Sequence, residues 1–263
     1  MIKNITLGQF FPGKTIVHRL DPRTKLILTT VYIAALFTAR GAAGFLLMFA
    51  VLMTCLFLSK IKASSVLRGI RPIIILIVIT AIINLFVTTG TVVFEFWIFS
   101  ITQEGLQVAV FMAARLIMLI VGTFLLTYTT SPIALTDGLE KLLNPLKKIR
   151  MPVHELALMM SIALRFIPTL IEETDKIMSA QKARGANFET GGLIARTKAI
   201  LPIIIPLFIS AFRRADELAI AMESRCYHGG EGRTRMKQLK AAPRDFLALL
   251  LGGLVLAAVI FLR

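Results

Sequence analysis

Long apolar runs separated by short basic stretches dominate the chain. Residues 26–39, 41–58, 72–94, 106–128 and 246–262 carry almost no charge. A helix needs about 20 apolar residues to cross a bilayer core, and lipid cannot satisfy a free backbone. These runs predict about five membrane-spanning helices. The stretch 26–58 is too long for one span and is broken at Arg40-Gly41, so it reads as a hairpin, with 26–39 as its short arm. Basic residues flank the hairpin on both sides: Arg23 and Lys25 before it, Lys60 and Lys62 after it. The link 59–71 adds Arg68 and Arg71, whereas the loop near Glu95 and Glu104 lacks Lys and Arg. Lys and Arg stay on the cytoplasmic side, so the expected orientation is N-terminus inside and C-terminus outside.

Residues 131–244 follow another pattern. Ser131-Pro132 predicts a helix start, with a hydroxyl at the N-cap and proline at the first helical position, and Asn144-Pro145 predicts its stop. A second helix is expected from about 153 to Arg184, with Gly185 as the residue after the cap. A third is expected from about 198 to Arg225. Each is apolar in its first half and charged in its second. The apolar halves, 156–171 interrupted by Arg165 and 199–212 containing Pro202 and Pro206, fall short of a comfortable span. They read as amphipathic helices along the inner membrane face or packed under another protein. The two form a weak repeat at an offset of 41 residues: Asp175 matches Asp216, Ala180 matches Ala221 and Arg184 matches Arg225. The expected organisation is therefore 1–130, with an N-terminal cytoplasmic segment and four spans, 131–244, cytoplasmic, and 245–263, the last span.

Composition supports the membrane reading. The chain is 56% hydrophobic against about 45–50% for a soluble domain. A net charge of +15 admits nucleic acid, anionic headgroups or an acidic partner. Topology-setting Lys and Arg account for most of it, and no aromatic-interleaved basic patch favours nucleic acid. Cys55, Cys226, His18, His154 and His228 show no metal-ligand spacing.

The segment Gly8 to Thr15 satisfies the P-loop pattern formally. A P-loop needs backbone N–H groups and a long helix behind it. Pro12 has no N–H, Phe10 and Phe11 are bulky, and Asp21-Pro22 interrupts any helix, so no nucleotide site is expected. Arg115 lies within the run 106–128, where a charge is costly, with Asn84 as its candidate partner. Two arginines at the ends of paired amphipathic helices, in Ala183-Arg184-Gly185 and Ser224-Arg225-Cys226, are the leading site candidates. Guanidinium offers a rigid fork suited to a carboxylate in a partner's groove.

These residues resemble the transmembrane T component of energy-coupling factor transporters, a branch of the ABC importers. The Gly-Gln-aromatic-x-Pro segment and His18-Arg19-Leu20-Asp21-Pro22-Arg23-Thr24-Lys25 look like that family's opening. Arg165-Phe166-Ile167-Pro168-Thr169-Leu170 resembles its central helix, and Ala183-Arg184-Gly185 its first Ala-Arg-Gly signature. Ser224-Arg225-Cys226 keeps only the arginine of the second. Cysteine lacks glycine's ease in the left-handed region, so Gly229-Gly230 is the candidate for the turn.

The resemblance implies an all-α membrane protein with long coupling helices and no catalysis or cofactor of its own. It implies two cytoplasmic ATPases that use ATP and Mg, and a membrane S component that binds a vitamin or metal ion. Arg184 and Arg225 would dock into the ATPases. Helix faces around Arg165, Phe166, Pro168, Pro202 and Pro206 would cradle the S component. Two rivals stand beside this reading. A stand-alone secondary transporter would show ionisable residues near mid-membrane. A membrane-embedded transferase would use an acidic cluster such as Glu172, Glu173 and Asp175.

Overall fold

The computed structural model describes residues 10–96, 99–186, 192–229 and 239–262. They divide into two compact units, Gly8–Lys141 with Leu239–Arg263, and Leu142–Gln238.

The first unit is a helical bundle. It contains α1 (Pro22–Thr38), α2 (Gly41–Ser59), α3 (Ala63–Ile70), a 3₁₀ turn (Arg71–Ile73), α4 (Ile74–Val87), α5 (Gln103–Thr129), α6 (Pro132–Leu143) and α9 (Pro243–Phe261). Its core gathers Leu36, Met48, Met118, Tyr128 and Val259, all buried. Glycine permits close approach where α1 meets α5: a Cβ at Gly122 would run into the Tyr32 ring. Tyr32 in turn donates its hydroxyl hydrogen to the Met118 carbonyl at 3.1 Å. Elsewhere the bundle turns Phe57, Ile75, Val87, Phe246 and Phe261 outward. In water such a surface would be untenable; in a bilayer it is ordinary.

Five helical stretches are long and apolar enough to cross a membrane: Gly41–Ser59, Ala63–Val87, Gln103–Thr129, Val153–Ala183 and Pro243–Phe261. Four coincide with expected runs. The short arm 26–39 lies in α1, whose 17 residues stand at the lower limit for a span, and the fifth stretch, Val153–Ala183, has the lowest mean hydropathy, 1.4. The stretch expected to cross over 72–94 begins earlier and ends at Val87. Residues Val92–Phe96 and Phe99–Thr102 instead form an antiparallel hairpin, with Glu95 opposite Ser100 and Phe96 opposite Phe99. Thr102 closes the hairpin onto α5 by accepting the Gly105 N–H (3.0 Å) and donating to the Thr88 carbonyl (2.8 Å).

A buried polar clasp joins the chain before α1 to the starts and ends of its neighbours. Asp21 caps α1 by accepting the Arg23 N–H at 2.9 Å. Its own backbone N–H donates to Asp245 Oδ1 at 2.8 Å, while Asp245 Oδ2 accepts the Ala242 N–H at 2.7 Å. One carboxylate thus serves the start of α9 and the residue before α1. The Lys25 ammonium is saturated by the Thr129 carbonyl (2.9 Å), Thr130 Oγ1 (3.2 Å) and the His18 carbonyl (3.3 Å). Arg23 Nη2 donates to the Leu239 carbonyl at 3.0 Å. The segment His18 to Lys25 was legible only as a family resemblance; the clasp is the physical role the structure gives it.

The second unit is a helix pair, α7 (Val153–Ala183) and α8 (Leu193–Ser224). The sequence placed α7 closely, but α8 starts five residues earlier than expected.

Candidate functional site

Both candidate arginines are helix C-caps, each built by the same backbone motif. In α7 the Gly185 N–H reaches the Lys182 carbonyl and the Ala186 N–H reaches Gln181, both at 3.0 Å. In α8 the Cys226 N–H reaches Glu223 at 2.8 Å and the Tyr227 N–H reaches Met222 at 3.0 Å. This pair of bonds is the Schellman motif, which requires a left-handed residue after the cap. Gly185 sits there at φ +86° and Cys226 at φ +55°. The expectation that Gly229-Gly230 would supply the second turn is therefore corrected. Cys226 adopts the left-handed conformation itself, at a steric cost of about 1–2 kcal/mol that glycine would not bear.

Ala183, Arg184, Gly185, Ser224, Arg225 and Cys226 are all exposed. Neither arginine side chain has an ion-pair or hydrogen-bond partner among the described residues, so both guanidinium forks are free to reach beyond the last turn. A cation there also suits the negative end of the helix dipole.

The two helices are clamped by an ion pair that the sequence reading did not foresee. Arg214 Nη2 donates to Glu173 Oε2 at 2.9 Å, with both side chains about a third exposed. Glu173, one of the acidic cluster Glu172, Glu173 and Asp175, is thereby a helix–helix tie. The signal was present, because Glu173 and Arg214 are themselves 41 residues apart. Gln181 adds a bond from Nε2 to the Pro202 carbonyl at 3.5 Å. That carbonyl is left without its helical donor because Pro206, four residues on, has no N–H.

Arg165 and Pro168 on α7 and Pro202 on α8 are exposed, and Phe166 and Pro206 are half-buried. Around them α8 presents Ile200, Leu201, Ile205, Phe208, Ile209 and Phe212, each 46% exposed or more. Phe208 and Phe212 pack ring to ring at 6.2 Å. Apolar surface on this scale marks a partner or a membrane.

Arg115 does not pair with Asn84. Its Nη2 donates to the Ala39 carbonyl at 3.1 Å and its guanidinium lies 5.2 Å from the centre of the Phe45 ring. Ala39 is the C-cap of α1, whose carbonyl has no donor from its own helix, which makes it the better acceptor. Asn84 instead donates to Thr80 within α4 at 2.8 Å.

In the P-loop-like segment the described residues, 10–15, pack against their neighbours. Of Gly8 to Thr15, the first two residues lie outside the described residues. Lys14-Thr15 opens no helix, and the Phe11 N–H is taken by the Tyr128 carbonyl at 3.0 Å. Gly13 lies against the His18 ring, where a Cβ would come within 2.7 Å of Nε2. Thr15 donates its hydroxyl hydrogen to His18 Nδ1 (2.6 Å), and Nε2–H donates to the Phe11 carbonyl (3.0 Å). Burial lowers the His18 pKa, opposed by the Phe11 hydrogen bond and aided by the Lys25 charge.

The family described as "CbiQ: Cobalt transport protein" matches residues 13–236. A protein of Thermosediminibacter oceani named energy-coupling factor transporter transmembrane protein EcfT is 52% identical over 262 residues, covering 100% of this chain and 99% of the relative. This chain belongs to the EcfT family. An EcfT of Clostridium kluyveri is 54% identical over 252 residues (95% of this chain, 93% of the relative). One of Lactococcus lactis subsp. cremoris is 49% identical over 247 residues (94% and 93%). The chain is thus a multi-pass membrane subunit of the energy-coupling factor transporter type.

Proposed function

We propose that this EcfT-family chain transmits ATP-driven movement of two cytoplasmic ATPase subunits to a small membrane S component that carries a vitamin or other micronutrient. The chain itself binds no nucleotide; ATP and Mg belong to its partners. Arg184 and Arg225 each anchor one ATPase. The apolar faces of α7 and α8, around Phe166, Pro168, Pro202 and Pro206, receive the S component.

The observation that carries this reading is the Glu173–Arg214 ion pair. Its two residues are repeat equivalents, 41 positions apart, as Arg184 and Arg225 are. Equivalent positions that touch each other mark the axis relating two repeats. Each arginine cap lies 11 residues beyond its own member of the pair, roughly 16 Å along its helix at 1.5 Å per residue. Two like cations set symmetrically about an axis suit two like partners, one for each.

Copurification tests it. The tagged chain, extracted in mild detergent, should bring down two ATPase chains and one small membrane protein. A chain that runs alone would support a stand-alone transporter instead. The orientation is tested separately, in a background without Cys55 and Cys226. A single cysteine at Leu262 should react with an impermeant reagent in sealed cells and one at Lys240 should not; the reverse pattern would refute the orientation.

A further inference from the structure

The link between α2 and α3 holds a site that the coupling role does not use. A cavity of about 270 Å³ opens there, with Phe11, Thr15 and His18 on one wall and Lys60, Lys62 and Ser65 on the other. It stands between two of the membrane-crossing stretches, Gly41–Ser59 and Ala63–Val87, so it lies at the level where hydrocarbon gives way to headgroups. No carboxylate lines it. Lys60 and Lys62 are exposed and form no ion pair among the described residues. The turn that presents them is sharp, with Lys60 at φ +53°. His18 has both ring nitrogens engaged, so the two lysines supply the cationic character. Phe11 and Ile61 add apolar surface beside them. The cavity is therefore cationic on one wall, apolar beside it and open at the bilayer boundary.

We propose that this cavity binds the phosphodiester headgroup of an anionic glycerophospholipid, with Lys60 and Lys62 as its cationic partners and the Ser65 hydroxyl as a further donor. A cationic lysine near a membrane surface adds about fivefold to the affinity for anionic lipid. The volume takes a headgroup phosphate and leaves the acyl chains in the bilayer. Free phosphate shares the recognition chemistry, but the placement between two spans favours the lipid. The site depends on the chain being multi-pass and not on which way it faces.

The test is native mass spectrometry of the full-length chain in detergent, titrated with phosphatidylglycerol or with phosphatidylcholine. Wild type should retain one phosphatidylglycerol in preference to phosphatidylcholine. The Lys60→Gln/Lys62→Gln variant should bind phosphatidylglycerol about thirtyfold more weakly, following the loss of two surface cations. Lys147→Gln/Lys148→Gln, the same charge change on the segment Asn144–Ile149, should leave binding unchanged. Lys62→Glu, which leaves the strained turn at Lys60 intact, should weaken binding in the same direction, and a melting curve confirms that each variant is folded. Equal losses in both double variants, or equal retention of phosphatidylcholine, would overturn the site. If inorganic phosphate stabilises the delipidated chain through Lys60 and Lys62 while phosphatidylglycerol is not retained, the lipid assignment is overturned.

Discussion

Replacing Arg184 and Arg225 together with alanine should reduce substrate uptake by more than about a hundredfold while leaving the fold intact. Truncating one member of a buried, hydrogen-bonded charge pair at an interface costs about 2–5 kcal/mol, largely from the partner charge left behind. Each single variant should therefore weaken its own ATPase contact by at least about thirtyfold, and the double variant should lose both. The fold has reason to tolerate the change. The caps are closed by backbone bonds at 2.8–3.0 Å, and both side chains are exposed. Circular dichroism and melting temperature should stay at wild-type values, which separates a lost interface from a lost helix. Arg→Lys at either position should rescue poorly, because an ammonium cannot reproduce the two-pronged geometry. Uptake, ATPase rate and copurification of the double variant check the prediction. Wild-type uptake would reduce both arginines to ordinary helix caps.

Asp245→Ala should destabilise the chain by about 2–4 kcal/mol, since the buried Asp21 N–H loses its acceptor at a cost of about 1–3 kcal/mol and the part-buried Ala242 N–H loses its acceptor at about 1 kcal/mol. Asp21 and Asp245 are 7% and 2% exposed, so water cannot replace the carboxylate without opening the site. The effect should reach past α9. With Asp21 unheld, the turn that delivers Lys25 to Thr129 and Thr130 loosens at the end of α5. Asp245→Asn keeps one acceptor oxygen and should cost about half as much. Thermal unfolding in detergent gives the order wild type, Asp245→Asn, Asp245→Ala. Equal stability of all three would mean that the clasp contributes nothing.

What could be read from the sequence depended on how local each cause was. Ser131-Pro132, Asn144-Pro145 and Arg184-Gly185 sit at the helix ends they predict, because capping depends on residues a few positions apart. The hairpin at 92–102 was hidden because Thr88-Thr89-Gly90-Thr91 carries no charge, so the apolar run of α4 reads on into Val92, Val93 and Phe94, and hydropathy alone does not separate a short apolar strand from the end of a span. Long-range pairings were not legible at all. Asp21 and Asp245 are 224 residues apart, and nothing near Arg115 announces the Ala39 carbonyl. Glu173–Arg214 is the intermediate case: the 41-residue repeat gave its spacing, but only the packing of α7 on α8 shows that equivalent positions meet.

The coupling role rests on the claim that this chain alone connects ATP hydrolysis to substrate movement. The direct measurement is ATP-driven uptake by proteoliposomes that contain the two ATPases and the S component, with and without this chain. Uptake should appear only when the chain is present and should fall to the chain-free level with the Arg184→Ala/Arg225→Ala variant. Uptake by the other three subunits without the chain, or full uptake with the double variant, would contradict the account.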